Sequence, residues 1–332
     1  MQYISRLCNE LQAGAPKCAA LSSIFVGGGT PSLLAIQEWS IIFDCIRDNF
    51  QLASGYEWSM EGNPESLTPP LMDAWFAAGV NRISIGIQAF QPELRKIIGR
   101  NGNLDNLPAI ARHIHASGIE RLNFDFIFNM PGQTLRQWED TLEQALEYAP
   151  THISAYALTL EEGSKLAKMN ISLDDDAFVE FWDATDKRLA PAGIKRYEIS
   201  NFAIPGQECR HNLAIWKGGT YLGCGPAATS FDGGGRWTNK ASIHDWLLSQ
   251  PPELDSLPPD RRAAEILAFG MRLVDGWSWR EFTDNTGFDP IALRGPQLEK
   301  LQKRGLLELA PTGARPTRTG LLFNDDIAME LL

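Results

Sequence analysis

The sequence predicts an α/β fold, a partial (β/α) barrel followed by a small C-terminal domain of winged-helix layout. Short β-type runs alternate with amphipathic helical stretches, the order that builds a parallel sheet. Each β/α unit takes roughly thirty residues, and repeated units of that size close into a barrel or part of one. A chain of 332 residues with 44% hydrophobic content can bury a core in one large domain and one smaller domain.

The first predicted element is a helix, because Ile4, Leu7 and Leu11 recur at helical spacing between residues 3 and 11. Strands and helices then alternate along the chain. Strands are predicted over residues 23–28, 57–61, 82–87, 121–128 and 152–158, and helices over 33–49, 71–78, 92–98, 107–117 and 135–148. This alternation is the main reason to expect parallel strands.

A proline-rich stretch with Pro251-Pro252 and Pro258-Pro259 predicts a linker between two domains. We therefore divide the chain into residues 1–255, the partial barrel with its extension, and residues 256–332, the small domain. Within the small domain, helices are predicted over 264–273 and 298–304, and a short ribbon over 306–309 and 316–319. This domain has no basic recognition stripe, which favours packing or protein contact over DNA binding.

Composition excludes several classes of protein. A net charge of -11 argues against a nucleic-acid backbone as the main partner. No stretch reaches the roughly 18 uninterrupted apolar residues of a membrane span, and the N-terminus does not resemble a signal peptide, so we expect a cytoplasmic protein. The five scattered cysteines fit reduced thiols. Cys209 and His211 could offer two metal ligands, but no second pair is near in sequence, so no metal site is predicted.

A glycine loop, Gly27-Gly28-Gly29-Thr30-Pro31, closes the apolar run 23–26 and leads into a helical pattern. Glycine lets a ligand approach the backbone where a Cβ would collide, and the amides at a helix start favour anionic groups. A tight structural turn is the alternative, because glycine is common in turns. The neighbouring strand ends must therefore decide between the two interpretations.

Four further predicted strands end in polar residues. They are Glu61 in the segment 61–65, Gln88 after 84–87, Asp125 within 123–127, and Tyr156-Ala157. In (β/α) barrels the chemistry lies at the C-terminal ends of the strands. Each residue alone could cap a loop or be a satisfied carboxylate, but together with the glycine loop they predict a ligand site.

Three segments in a fixed order carry a resemblance to a known family. They are 25–34, which contains the glycine loop, 79–88 followed by Gly99-Arg100, and 123–127 running into 130–134. Over almost its whole length the chain resembles radical SAM proteins of the oxygen-independent coproporphyrinogen III oxidase type. Residues 153–156, 197–203 and 208–212 resemble the heme-chaperone branch of that family rather than the oxidases.

The resemblance implies a site for S-adenosylmethionine on the predicted strand ends. The implied residues are Gly28, Gly29, Thr30, Glu61, Gln88, Arg100, Asp125 and Ala157. The glycines and the threonine would line the methionyl part, and the arginine would pair with its carboxylate. The glutamate and the glutamine would face its hydroxyl and ammonium donors. The last two residues would lie near the adenosine end or, alternatively, near a second substrate.

A second implied site concerns heme. Residues 211–216 resemble the H-N-x-x-Y-W signature of the heme chaperones, with Ile215 in place of the tyrosine. Imidazole is a good axial ligand of heme iron, so the resemblance implies His211 as a heme contact, with Cys209 as the alternative. A histidine that only hydrogen-bonds a loop is the structural interpretation. The family usually has a histidine where this chain has Thr229.

The sequence departs from the family at the iron–sulfur cluster. The family places a C-x-x-x-C-x-x-C loop after its first barrel strand, and these 332 residues contain no such triplet. Three thiolates of that loop hold a [4Fe-4S] cluster, so this chain is expected to lack the radical chemistry, and no catalytic residue is predicted. By alignment the first barrel strand is missing too, either because Met1 is an internal start or because the chain is a natural variant. The strand near residue 23 would then be an exposed edge, which predicts self-association.

The function predicted from the resemblance is that of a heme chaperone, which binds heme and passes it to an acceptor protein. The alternative is a radical SAM oxidoreductase that removes carboxyl groups from coproporphyrinogen III. A cofactor-free interaction module is a third hypothesis, and it predicts binding of neither heme nor S-adenosylmethionine.

Overall fold

The computed structural model describes residues 2–160, 166, 168 and 175–332. The chain forms two compact units. We call the first the barrel unit; it comprises Ser23–Ile36 and Glu57–Glu208. We call the second the C-terminal unit; it comprises Met1–Ser22, Gln37–Tyr56 and Cys209–Leu332. The linear division between residues 255 and 256 stays a prediction.

Seven strands form the main sheet, in the order β1-β2-β3-β4-β5-β7-β6. They are β1 (Leu21–Val26), β2 (Leu52–Gly62), β3 (Arg82–Gln88), β4 (Arg121–Phe128), β5 (His152–Ala157), β6 (Lys195–Arg196) and β7 (Asn201–Ala203). Strands β2 to β5 pair in parallel, whereas β7 pairs antiparallel with β5 and with β6. The sheet curls into half a barrel, so the predicted α/β class and partial barrel are confirmed. Strand β1 stands at one end of this order, and self-association through it stays a prediction.

Helices connect the strands of the sheet. They are α1 (Gln2–Gly14), α2 (Ile36–Asn49), α3 (Pro69–Ala78), α4 (Pro92–Ile97), α5 (Leu107–Ala116), α6 (Leu135–Leu146) and α7 (Asp175–Leu189). Local sequence sets their ends: Thr134 and Gln137 form a capping box at the start of α6, and Gly79 ends α3 in the left-handed conformation.

The two faces of the parallel strands differ in chemistry. One face is apolar and fully buried, and its members include Trp58, Met60, Ile83, Ile85, Phe124 and Phe126. The other, which we call the lumen face, carries Glu57, Ser59, Glu61, Arg82, Ser84, Asn123, Asp125, His152 and Ser154. Parallel sheets buried on both faces are usually apolar on both. A polar inner face therefore indicates that this one borders a space for a polar ligand.

The C-terminal unit adds short elements after the main sheet. They are α8 (Arg210–Trp216), β8 (Thr229–Phe231), β9 (Arg236–Thr238), α9 (Ile243–Leu247), β10 (Glu253–Asp255), α10 (Pro259–Gly270), β11 (Trp277–Ser278), α11 (Trp279–Thr286), α12 (Pro290–Lys303), β12 (Leu307–Ala310), β13 (Gly313–Pro316), α13 (Arg318–Leu322) and α14 (Asn324–Leu331). Strands β8 to β10 form one antiparallel sheet, and β11, β13 and β12 another.

The predicted ribbon of the small domain is present, but its second strand was placed too late. Strand β13 pairs with β12 over Gly313–Pro316, and Thr317 already caps the next helix through its side chain. Trp277 is buried in this core; its ring lies edge-on to Phe282, and its Nε1 donates to the Leu267 carbonyl at 3.1 Å. Helices packed around a small three-stranded sheet agree with the winged-helix layout.

Ala227 adopts φ of +60°, a left-handed conformation that a Cβ disfavours. Replacing it with glycine is therefore expected to raise the free energy of unfolding by about 1 kcal/mol. The neighbouring Ala228 is the matched control, because its φ is not in that region and Ala228→Gly should lower stability by about 0.5 kcal/mol. Urea denaturation of both variants measures the two effects, and the same sign for both would contradict the prediction.

Candidate cofactor site on the lumen face

The glycine loop after β1 borders open space. Gly28 and Gly29 have φ of +79° and +61°, and a Cβ on either would meet no described atom within 4 Å. The Gly28 amide donates to Glu61 Oε2 at 3.2 Å. Gly27 is packed closely, because a Cβ there would lie 2.8 Å from Glu61 Cδ. The loop thus presents bare backbone to a ligand while a carboxylate at the end of β2 holds it in place.

Asn63, which belongs to the predicted polar segment 61–65 but was not among the predicted ligand contacts, joins three of the predicted strand ends. Its Nδ2 donates to Thr30 Oγ1 at 3.3 Å, and its amide donates to Ser32 Oγ at 3.2 Å. A Cβ at Gly86 would lie 3.1 Å from Asn63 Oδ1 and 3.0 Å from Gln88 Nε2. The loops after β1 and β2 and the end of β3 therefore converge. A polar residue two positions after Glu61 was the available signal.

Gln88 ends β3 with φ of +70°, an uncommon conformation for a residue with a side chain. The register between β3 and β4 shifts between Gly86 and Gln88, which is a bulge at the strand end. Bulges and strained backbone collect at binding sites, where they redirect a side chain. Both observations support the sequence-predicted role of Gln88 in a site.

Asp125 lies on β4 with its carboxylate held by neighbouring lumen-face side chains. Ser84 Oγ donates to its Oδ2 at 2.6 Å, and Asn123 Nδ2 donates to its Oδ1 at 2.8 Å. Asn123 also contacts Ser154 Oγ at 3.1 Å. Because β3, β4 and β5 are in register here, side chains far apart in sequence form one hydrogen-bonded cluster.

Burial raises the pKa of both carboxyl groups of the site. Burial, reinforced by the charge of Asp125 and opposed by the Gly28 amide, raises the pKa of Glu61 to about 7. Burial also raises the pKa of Asp125, although hydrogen bonds from three neighbouring side chains and the charge of Arg82 oppose the shift. Negative charge in this space is thus unfavourable until a cation or a hydrogen-bond donor arrives, and the site is chemically suited to a ligand that carries such groups.

Two family models match the chain. Residues 9–145 match the model described as the radical SAM superfamily, and residues 257–323 match the model described as the HemN C-terminal domain. The chain is also similar to curated proteins named heme chaperone HemW. It is 31% identical to that of Escherichia coli, over 97% of this chain and 87% of the relative.

The chain belongs to the HemW family of radical SAM proteins.

A further HemW relative is that of Mycobacterium tuberculosis strain H37Rv, 36% identical over 72% of this chain. The alignment spans 63% of the length of that relative. Among solved structures, coproporphyrinogen III oxidase (HemN) from Escherichia coli superimposes with a TM-score of 0.84, covering 99% of this chain and 82% of the oxidase. Sequence identity to it is 23%, so the match shows that this HemW-family chain shares the oxidase fold.

Arg100 and Ala157 complete the residues that the family resemblance implied. Arg100 follows Gly99, which has φ of +76°, and its amide donates to the Arg95 carbonyl at 2.8 Å. Its side chain is partly exposed. Ala157 is the last residue of β5, pairs in register with Phe128 and is partly exposed. The structure thus places Ala157 at the C-terminal end of a strand, whereas Arg100 lies in the segment between α4 and α5.

His211 and Cys209 belong to the C-terminal unit of this HemW-family chain. Cys209 precedes α8 and is 2% exposed, whereas His211 lies in the first turn of α8 and is partly exposed. A buried thiol is a poor contact for a ligand that arrives from solvent. Of the two implied heme ligands, the histidine is the more accessible.

The chemistry of the lumen-face residues can be compared with the groups of S-adenosylmethionine. For S-adenosylmethionine, the open space beside Gly28 and Gly29 and the paired carboxyl groups of Glu61 and Asp125 suit a ligand with ammonium, sulfonium and hydroxyl groups. The absence of [4Fe-4S] ligands from this chain stays a prediction from the sequence. None of the five cysteines is in a disulfide, and no group of three or more His, Cys, Asp or Glu side chains within the described ranges is arranged to hold a metal.

No helix in the described parts of the chain is both long and apolar enough to cross a membrane.

Proposed function

We propose that this chain is a cytoplasmic heme chaperone, which binds heme and transfers it to an acceptor protein. The observation that carries the proposal is the similarity to the HemW of Escherichia coli over 97% of this chain, which includes the His211 segment. Chaperone function needs a ligand contact that can open, and a partly exposed imidazole on a short helix meets that need. Cys209 is the weaker candidate because its side chain is buried.

A heme titration tests this proposal. We expect a saturable shift of the Soret band in the wild-type chain and at least a tenfold loss of affinity in His211→Ala, because one iron ligand is removed. His244→Ala is the matched control, since His244 is an exposed histidine on α9 of the same unit and should bind heme as the wild type does.

The possible outcomes distinguish the role of His211 as a heme ligand from heme binding by the chain as a whole. An unchanged shift in His211→Ala would mean that another group holds the heme. The absence of any shift in a folded wild-type sample would refute heme binding by these residues. Transfer is measured in a second step, as loss of the Soret signal of the loaded chain when apo-acceptor protein is added.

We further propose that the lumen face binds S-adenosylmethionine and that heme binds elsewhere. The proposed contacts are Gly28, Gly29, Thr30, Glu61, Gln88, Arg100, Asp125 and Ala157. Glu61 and Asp125 would repel the two propionates of heme but would attract the ammonium and sulfonium groups of S-adenosylmethionine. We assign no radical step to these 332 residues, because their sequence contains no C-x-x-x-C-x-x-C triplet.

The pH dependence of S-adenosylmethionine binding follows from Glu61. The pKa of Glu61 is raised to about 7 in the free protein, and a bound cation would favour the ionised form. Binding below pH 7 should therefore release a proton, and affinity should fall about tenfold for each unit of pH below 7. Titration calorimetry at pH 6 in two buffers that differ in ionisation enthalpy counts the released protons.

Glu61→Gln is the control for that measurement, because it keeps the shape and removes the titration. It should bind without proton release and with little change between pH 6 and pH 8. Equal affinity of the wild type at both pH values would contradict the assignment. In the unliganded protein the same raised pKa makes stability fall as pH rises from the ordinary value of 4.5 to about 7, because the folded state holds the proton longer than the unfolded state.

Coproporphyrinogen III oxidase activity receives no support beyond the shared fold. The structural match to the oxidase has 23% identity, whereas the HemW of Escherichia coli aligns with 31% identity over 97% of this chain. Production of protoporphyrinogen from coproporphyrinogen III by the purified chain with S-adenosylmethionine and a reductant would favour this second function.

A further inference from the structure

A buried histidine stands behind the Asp125 carboxylate. His152 is the first residue of β5, is 1% exposed and lies in register with Asn123 of β4. Its Nδ1 is 2.6 Å from Asn123 Oδ1, and its Nε2 is 2.9 Å from the hydroxyl of Tyr197. Both ring nitrogens are thus engaged, and neither faces the candidate site directly.

The hydrogen-bond directions along this chain of groups follow from Asp125. The Asn123 atom 2.8 Å from the Asp125 carboxylate must be the amide nitrogen, because an oxygen there would repel it. Asn123 Oδ1 then points at His152 and requires a proton on Nδ1. In the neutral ring Nε2 becomes an acceptor, so the Tyr197 hydroxyl donates to it.

Tyr197 is itself fixed by the turn that leads into β7. Glu198, fully buried, accepts from the Ser200 amide and from Asn201 Nδ2, both at 2.7 Å. The Tyr197 ring packs edge-on against the His152 imidazole with centroids 5.5 Å apart. The Tyr197 phenol is therefore held against His152 Nε2 by the ring packing and by the hydrogen-bonded turn that follows it in the chain.

We propose that His152 is a positioning residue. Tyr197 holds it as the neutral Nδ1–H tautomer, and this tautomer orients the Asn123 amide. The oriented amide in turn lets Asp125 present an ionised carboxylate to a donor group of the ligand. The inference rests on the proposed S-adenosylmethionine site, whose ligand supplies that donor from its hydroxyl or ammonium groups. Asp125 accepts from Ser84, Asn123 and Ser154, which leaves a lone pair of its carboxylate for a donor of the ligand, and the residue is partly exposed.

The electrostatic surroundings agree with a neutral ring. Burial and the positive charge of Arg82 lower the pKa of His152 well below its ordinary value. The charged group that faces it on the lumen face is that guanidinium, while Asn123 and Tyr197 face it from the neighbouring elements. A neutral imidazole donates from one nitrogen only, which is what gives the chain of hydrogen bonds its direction.

The first test reads the tautomer without any ligand. Nitrogen NMR of the ¹⁵N-histidine-labelled chain should show His152 with a protonated Nδ1 and a bare Nε2, unchanged from pH 5 to pH 8. His152→Asn, which lacks this ring, assigns the signal. A protonated Nε2 or a charged ring would overturn the inference.

The second test is a double-mutant cycle on S-adenosylmethionine affinity, measured by calorimetry. Tyr197→Phe removes the donor to Nε2 and should weaken binding about tenfold, as loss of a supporting group does at other sites. In an Asp125→Asn background the same change should have no further effect, because the oriented carboxylate is gone. His152→Asn keeps an amide N–H near the Nδ1 position and should bind within about threefold of the wild type.

The outcomes remain distinguishable. Equal weakening by Tyr197→Phe in both backgrounds, accompanied by equal loss of thermal stability, would show a purely structural role. Unchanged affinity in Tyr197→Phe would also overturn the inference. Failure of the folded wild type to bind S-adenosylmethionine would instead refute the proposed cofactor site, and the tautomer measurement would then decide alone whether His152 orients Asn123.

Discussion

Replacing Glu57 with alanine is expected to lower the free energy of unfolding by about 4 kcal/mol, because it leaves a buried positive charge without its carboxylate. Glu57 is fully buried on the lumen face, with Oε2 3.8 Å from Arg82 Nη1 and 3.7 Å from Arg121 Nη1. The Arg82 side chain is 3% exposed, so water cannot take over the lost interaction. Urea denaturation followed by far-UV circular dichroism measures the effect.

A double variant distinguishes the stability cost of an unpaired buried charge from the cost of lost side-chain volume. Glu57→Leu combined with Arg82→Met removes both buried charges and should recover most of the stability lost in Glu57→Leu alone. If the double variant is as unstable as the sum of the two single variants, the cost is one of packing and the electrostatic explanation is wrong.

Replacing Glu10 with alanine is expected to cost a similar amount, about 4 kcal/mol, in the C-terminal unit, since several donors lose their acceptor at once. Glu10 on α1 accepts from the Gly225 amide at 2.8 Å and from Trp246 Nε1 at 2.9 Å. Asn239 Nδ2 and Arg6 Nη2 lie 3.3 Å and 3.1 Å from its Oε1. One carboxylate therefore ties α1 to the loop before β8 and to α9.

Two control variants test whether the buried hydrogen bonds of Glu10 account for this loss of stability. Glu10→Gln keeps one acceptor oxygen and should lose roughly half as much stability. Asp44→Ala breaks an ion pair with Arg47 in which both side chains are more than half exposed, and should cost less than about 1 kcal/mol. If Glu10→Ala were as mild as Asp44→Ala, the buried hydrogen bonds would not be what fastens α1 to these segments.

Much of the candidate site could be predicted from local pattern. Glu61, Gln88 and Asp125 stand at or near the ends of strands whose apolar alternation is readable in the sequence, and the structure brings them to one face. Gly28 was predicted from the glycine loop together with the polar strand ends, because glycine in a loop fits a tight turn as well as the close approach of a ligand.

Other parts of the site could not be predicted, because they depend on register. Ser84, Asn123 and His152 come from three strands and meet only because β3, β4 and β5 align with these residues side by side. A shift of one residue in any strand would turn its side chain to the apolar face. The histidine's two hydrogen-bond partners, one on β4 and one before β7, lie 29 and 45 positions away in sequence.

The very short strands of the main sheet were not predicted from the sequence either. Strands β6 and β7 have two and three residues, too few to show an alternating pattern. They are strands because β7 pairs with the edge of β5 and β6 pairs in turn with β7. The second strand of the C-terminal ribbon was predicted over residues 316–319, yet Thr317 caps a helix there. A local hydrogen bond to the Gly320 amide at 2.9 Å competes with strand extension at that point.

The sequence by itself determined the α/β class, the glycine loop and the set of polar strand ends, because alternation, helical spacing and glycine content are local properties of the chain. The tertiary structure decided which of those residues share a space, that Asn63 and His152 join them, and that Cys209 is buried while His211 is accessible. The physical reason is that hydrogen-bond partners and burial are set by packing between segments distant in sequence, which no local pattern records.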